Sequence, residues 1–128
     1  MFDEEMPVVG IDLVDLDRIA HAWQEHGGHF GRRICTQAEL DYCLAHSDPV
    51  PFLAARFAAK EAVSKALGTG IGSQCSFLDI EVIHLESGAP QLRLVGGALE
   101  LSQQLGVSSW SISLTHSATA AAVVVFGV

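Results

Sequence analysis

The stretch FLAARFAAKEAVSKALGTGIG, residues 52–72, constrains the fold more than any other part of the chain. It is built largely from strong helix formers, and its alanines at 55, 59, 62 and 66 recur every three or four residues. A helix with so narrow a stripe of small side chains is suited to close packing against a sheet. Pro51 fits the first turn and Gly68 a left-handed stop, so the helix is expected from about Pro51 to Leu67. It carries both lysines of the chain, Lys60 and Lys65, with Arg56 one turn before the first. Elsewhere acid prevails: Lys and Arg number 7 against 15 Asp and Glu, a formal net charge of −8. Such a charge argues against nonspecific binding of nucleic acid or anionic membrane. A small anionic ligand fits only where cations gather locally, as they do around Arg56, Lys60 and Lys65.

The 128 residues suit one compact domain, 1–128, with 49% hydrophobic residues to fill its core. No internal repeat or linker interrupts it. VVGIDLVDL reads as a strand with Val9, Ile11 and Leu13 on one face and Gly10, Asp12 and Val14 on the other. DLDRIAHAWQEHGG reads as a helix, FGRRI as a short helical connector, and TQAELDYCLAH as a helix opened by the capping-box pair Thr36 and Glu39. After the long helix, FLDIEVIHLE and PQLRLVG read as two strands joined at SGA, and GALELSQQLG as a short helix. WSISLTH and AAAVVVFGV are the last strands. The order predicts an α+β domain, a mostly antiparallel sheet with helices packed on one side.

No apolar run reaches the roughly 20 residues of a membrane span. The acidic start MFDEEMP lacks the basic opening of a targeting peptide. Cys35, Cys43 and Cys75 are odd in number and show no C-x-x-C spacing, which suits reduced thiols in a cytoplasmic protein. Cys35 with His21, His26 and His29 does not have zinc-finger spacing.

Glu61 and Lys65 are four apart on one helix face, where the plain reading is a surface ion pair. Arg56 and Lys60 are also four apart, on a neighbouring face that is plainly read as solvated. GTGIG follows a helix rather than joining a strand to one, which rejects a dinucleotide-binding motif. It reads as a supple loop, or as one whose amides approach a phosphate. Asp12 interrupts an apolar strand, and Gly10 on its face leaves room for close approach. It is either an outward residue or, if the strand packs on the helix, a partner of Glu61 in holding a hard cation. His116 ends a strand beside Thr115 and Ser117, either solvated or facing a pocket.

Together these blocks resemble the bacterial holo-acyl-carrier-protein synthases, the small 4′-phosphopantetheinyl transferases. GIDLVDLDRI is similar to that family's opening motif, with Asp12 at its aspartate and Arg18 at its arginine. FGRRICTQAEL resembles its R-I-x-T-x-x-E-L motif, and the long helix its K-E-A-x-x-K-A block. ISLTHSATAAAVVV fits the closing segment, with His116 in place. The resemblance implies transfer of 4′-phosphopantetheine from coenzyme A to a serine of apo acyl carrier protein, releasing adenosine 3′,5′-bisphosphate. It implies Mg²⁺ on Asp12 and Glu61, with Glu61 and Lys65 catalytic. Arg56, Lys60, Lys65 and His116 are then expected to bind coenzyme A, and Arg18, Arg32 and Arg33 to dock the carrier protein. A homotrimer is implied as well. The alternative is a noncatalytic module of the same fold that binds coenzyme A or a nucleotide.

Overall fold

The computed structural model describes residues 6–128. The acidic start read above falls mostly on residues 1–5, outside the described residues. Strand β1 (Val8–Asp15) is followed by four helices, α1 (Leu16–His26), α2 (Gly28–Ile34), α3 (Gln37–Leu44) and α4 (Val50–Leu67). Strands β2 (Ile80–His84) and β3 (Pro90–Leu94), helix α5 (Gly96–Gln104), and strands β4 (Trp110–His116) and β5 (Ala120–Gly127) complete the order.

The expected antiparallel pairing is present, but the strands form two sheets rather than one: β1-β5-β4 and the hairpin β2-β3. α4 is the hub. It packs on β1 and β5, with Ala62 against Gly10 and Ala55 and Ala59 buried, and also meets α1, α3 and β2. Leu53 through Lys60 are therefore all buried. Pro51 lies in its first turn, and Gly68 ends it at φ +87°, a conformation that only glycine adopts cheaply. The amides of Thr69 and Gly70 then close on the Ser64 carbonyl at 3.2 and 3.1 Å. α3 opens on the expected capping box: the Glu39 amide donates to Thr36 Oγ1, and the Thr36 amide donates to Glu39 Oε1.

In β1, Gly10 and Val14 are buried and Asp12 is partly so, while Val9, Ile11 and Leu13 face outward at 57%, 64% and 67% exposure. No helix among the described residues is long and apolar enough to cross a membrane.

Candidate active site

The closest approach of β1 to α4 sets the site. A Cβ on Gly10 would lie 1.8 Å from the Ala62 carbonyl oxygen, so the strand backbone rests directly on the helix. The space that Gly10 leaves is filled by α4 itself. Asp12, two residues along the same strand face, is thereby carried to the helix beside Glu61 and Lys65. Lys65 Nζ donates to Asp12 Oδ1 at 2.7 Å and to the Ile11 carbonyl at 3.1 Å. Lys65 thus ties helix to strand, and the plain reading of a Glu61–Lys65 surface pair gives way to an Asp12–Lys65 pair.

Glu61 is half-buried, and its carboxyl is pushed above its ordinary value. Desolvation is the main cause and the charge of Asp12 the second, with Lys65 and Arg18 pulling the other way. The charge of Asp12 thus acts on Glu61 at the junction of β1 and α4. Arg18 reaches the same place from α1, its guanidinium carbon 5.1 Å from the centroid of the Phe57 ring.

This donor set fits a magnesium ion. Mg²⁺ takes one or two protein carboxylates and leaves the rest of its octahedron to water and phosphate oxygens. Among the described residues no cluster of three or more His, Cys, Asp or Glu gathers. A cavity of about 500 Å³ lies elsewhere, between β3, α5 and the start of β4, lined by Leu92, Leu99, Ser102 and Trp110. It reaches neither Asp12 nor Glu61.

The other expected ligands are dispersed. Lys60 is 0% exposed; its Nζ donates to Glu39 Oε1 at 2.6 Å and to the Ile34 carbonyl. Lys60 thus lies enclosed and paired with Glu39, joining α4 to α3 rather than facing solvent. Glu39 Oε2 meanwhile accepts from the Val82 amide at 2.8 Å, joining α3, α4 and β2. Arg56 is also buried, at 2% exposure, against Tyr42, Phe52 and His84. The solvated face read for Arg56 and Lys60 does not exist, because α3 and β2 cover it. His116 is exposed at the end of β4, its ring 6.2 Å from that of Phe52. Arg32 and Arg33 are exposed in the last turn of α2, with no ion pair to the Asp12–Glu61 site among the described residues.

Sequence reasoning missed the aromatic and histidine cluster around Arg56. Tyr42 and His46 stand four apart, the one signal of a shared helix face, while His84 arrives from a distant strand.

The family model described as "4'-phosphopantetheinyl transferase superfamily" matches residues 8–124, nearly the whole chain. This chain belongs to that superfamily. Within it the similarity is to holo-[acyl-carrier-protein] synthases. The enzyme of that name from Maridesulfovibrio salexigens is 51% identical over 118 residues, covering 91% of this chain and 94% of the relative. That from Hydrogenovibrio crunogenus is 44% identical over 110 residues, covering 86% and 87%. The crystal structure of the Neisseria meningitidis synthase superposes with a TM-score of 0.85 at 34% identity, covering 94% of this chain and 96% of that one. The Helicobacter pylori synthase, solved in complex with coenzyme A, gives 0.83 at 34% identity, covering 94% and 99%. Asp12, Glu61 and Lys65 all fall inside the residues the superfamily model matches.

Proposed function

We propose that this chain is a holo-[acyl-carrier-protein] synthase, which moves the 4′-phosphopantetheine group of coenzyme A onto a serine of an apo acyl carrier protein. The observation that carries the reading is the meeting of Asp12, Glu61 and Lys65 at the β1–α4 junction in a chain of this superfamily. The serine oxygen attacks the phosphorus that bears the pantetheine arm. The P–O bond to the rest of the diphosphate breaks, and adenosine 3′,5′-bisphosphate leaves.

Asp12 and Glu61 would hold Mg²⁺, whose charge stabilises the diphosphate oxygens as they become more negative. Glu61, with its raised carboxyl, is the better placed of the two to take the serine proton at Oε. Lys65 Nζ lies beside Asp12, where it offsets charge on the departing phosphate and can return a proton to it. Arg56 and His116 bind phosphates of coenzyme A. Lys60 is left out of that set, because Glu39 holds it. Arg18, Arg32 and Arg33, exposed on α1 and α2, form the docking surface for an acidic carrier protein.

The outward apolar face of β1 and β5 supports a homotrimer: Val9 pairs with Phe126 and Ile11 with Val124, and all four stand exposed. We assign the reaction to the cytoplasm, a reading supported by the free thiols of Cys35, Cys43 and Cys75.

Mass spectrometry of apo carrier protein incubated with this chain, coenzyme A and Mg²⁺ tests the function. One phosphopantetheine added to the serine is the expected result. Tight coenzyme A binding without that gain would instead identify a noncatalytic module of the same fold.

A further inference from the structure

Two cations of α4 lie buried one turn apart in very different surroundings. Lys60 faces a carboxylate, Glu39, so the two charges cancel. Arg56 is held only by uncharged groups. Its Nη1 donates to the Phe52 carbonyl at 3.3 Å, its Nη2 meets His84 Nδ1 at 3.3 Å, and its guanidinium carbon lies 4.5 Å from the centroid of the Tyr42 ring. Its Nε has no hydrogen-bond partner. Among the described residues no carboxylate pairs with it. Glu39 lines the same hollow of about 250 Å³, but its oxygens are occupied by Lys60, Thr36 and Val82. A buried charge lacking a counter-charge is costly in itself, and it becomes useful when an anion arrives from outside.

His84 ends β2 with its ring stacked on Tyr42, centroids 4.4 Å apart and planes 8° from parallel. The groups that face it are Arg56 from α4, Tyr42 from α3, and His46 just beyond α3. Burial, then Arg56, then His46 push its imidazole below the ordinary value. A guanidinium has only donors, so Nδ1 facing Arg56 Nη2 accepts, which requires that nitrogen to be unprotonated. An uncharged acceptor fixes the direction of the Arg56 fork without cancelling its charge. A carboxylate would do both.

We propose that His84 is a positioning residue for substrate binding: as a neutral acceptor it aims Arg56 and keeps the guanidinium charge free for a phosphate of coenzyme A. This rests on the reading of Arg56 as a phosphate ligand.

The test compares near-isosteric acceptors that differ in charge. Coenzyme A affinity is measured by titration calorimetry at pH 7 for the wild type, His84→Asn, His84→Asp and Arg56→Met, alongside the melting temperature of each. His84→Asn should bind within about threefold of the wild type, and His84→Asp about tenfold or more weaker, the expected result of engaging the Arg56 charge internally. The Asp variant should melt no lower than the Asn variant, because it gains an ion pair; a purely structural role for His84 predicts no such split between stability and affinity. If the shorter pair does not fold, His84→Gln and His84→Glu make the same comparison. Equal affinities for the Asn and Asp variants, strong or weak, overturn the proposal. Unchanged affinity in Arg56→Met overturns the reading of Arg56 and this inference with it. A loss in Arg56→Met beside intact binding in His84→Asp overturns the inference alone.

Discussion

Glu61 is the half-buried carboxyl at the β1–α4 junction, and its surroundings make a sign-definite prediction. Its carboxyl lies above the ordinary value of 4.5 because burial and Asp12 both disfavour the ionised form. The folded state therefore holds the proton more tightly than the unfolded chain does. Ionisation of Glu61 opposes folding: the penalty is absent below about pH 4.5 and complete once the pH passes the raised value. Without divalent ions, Glu61→Gln should melt above the wild type at pH 7, and the gap should close as the pH falls toward 4.5. Calorimetry over that range checks it, and a Gln variant less stable at pH 7 would contradict the assignment. The shared face of Glu61 and Lys65 was legible from the helical period, whereas strand alternation left open whether Asp12 turned toward the helix. The burial of Lys60 and Arg56 was not legible, since a period says where a side chain points but not what covers it. α3 and β2 cover that side of α4, so it has no solvated face there to expose them.

At the scale of elements, one contact decides where the carboxylates meet. β1 can approach α4 only because Gly10 has no side chain to strike the Ala62 carbonyl. Gly10→Ala should cost about 1–3 kcal/mol by forced overpacking. It should also slow transfer, since any retreat of the strand moves Asp12 away from Glu61. Denaturant unfolding and the transfer rate, measured together, check both halves; a variant as stable and as fast as the wild type would show that the contact is loose. The elements themselves were readable almost throughout, since turn glycines, a capping box and Pro51 mark their ends. The exception is residues 77–79, expected as strand. Ser76 and Asp79 cap each other's backbone there and wind Phe77–Asp79 into a 3₁₀ turn before β2 begins. Local hydrogen bonding prevails over the β propensity of Phe77.

For the molecule as a whole, the unsatisfied surface is the outer face of β1 and β5. Both faces of β1 carry apolar residues, so the sequence did not show which one turns inward; the small side chains Gly10 and Ala62 decided it by permitting contact with α4. Val9, Ile11, Leu13, Val124 and Phe126 are left outside, a patch that a homotrimer would cover. Phe126→Asp places a charge in that patch, away from Asp12 and Glu61, and should reduce the assembly to smaller species by light scattering. A mass equal to the wild type's would show that the patch is not the subunit contact. The α+β class with antiparallel pairing was legible, whereas the division into two sheets depends on which strands reach each other in space.

The most direct test concerns the cation that the two carboxylates are proposed to share. Mn²⁺ serves as a paramagnetic probe for Mg²⁺, and its binding is titrated by electron paramagnetic resonance in the presence of coenzyme A. The wild type should bind one ion per chain, and both Asp12→Asn and Glu61→Gln should bind it at least about tenfold more weakly while still taking up coenzyme A. Undiminished Mn²⁺ binding in either variant would contradict the shared seat.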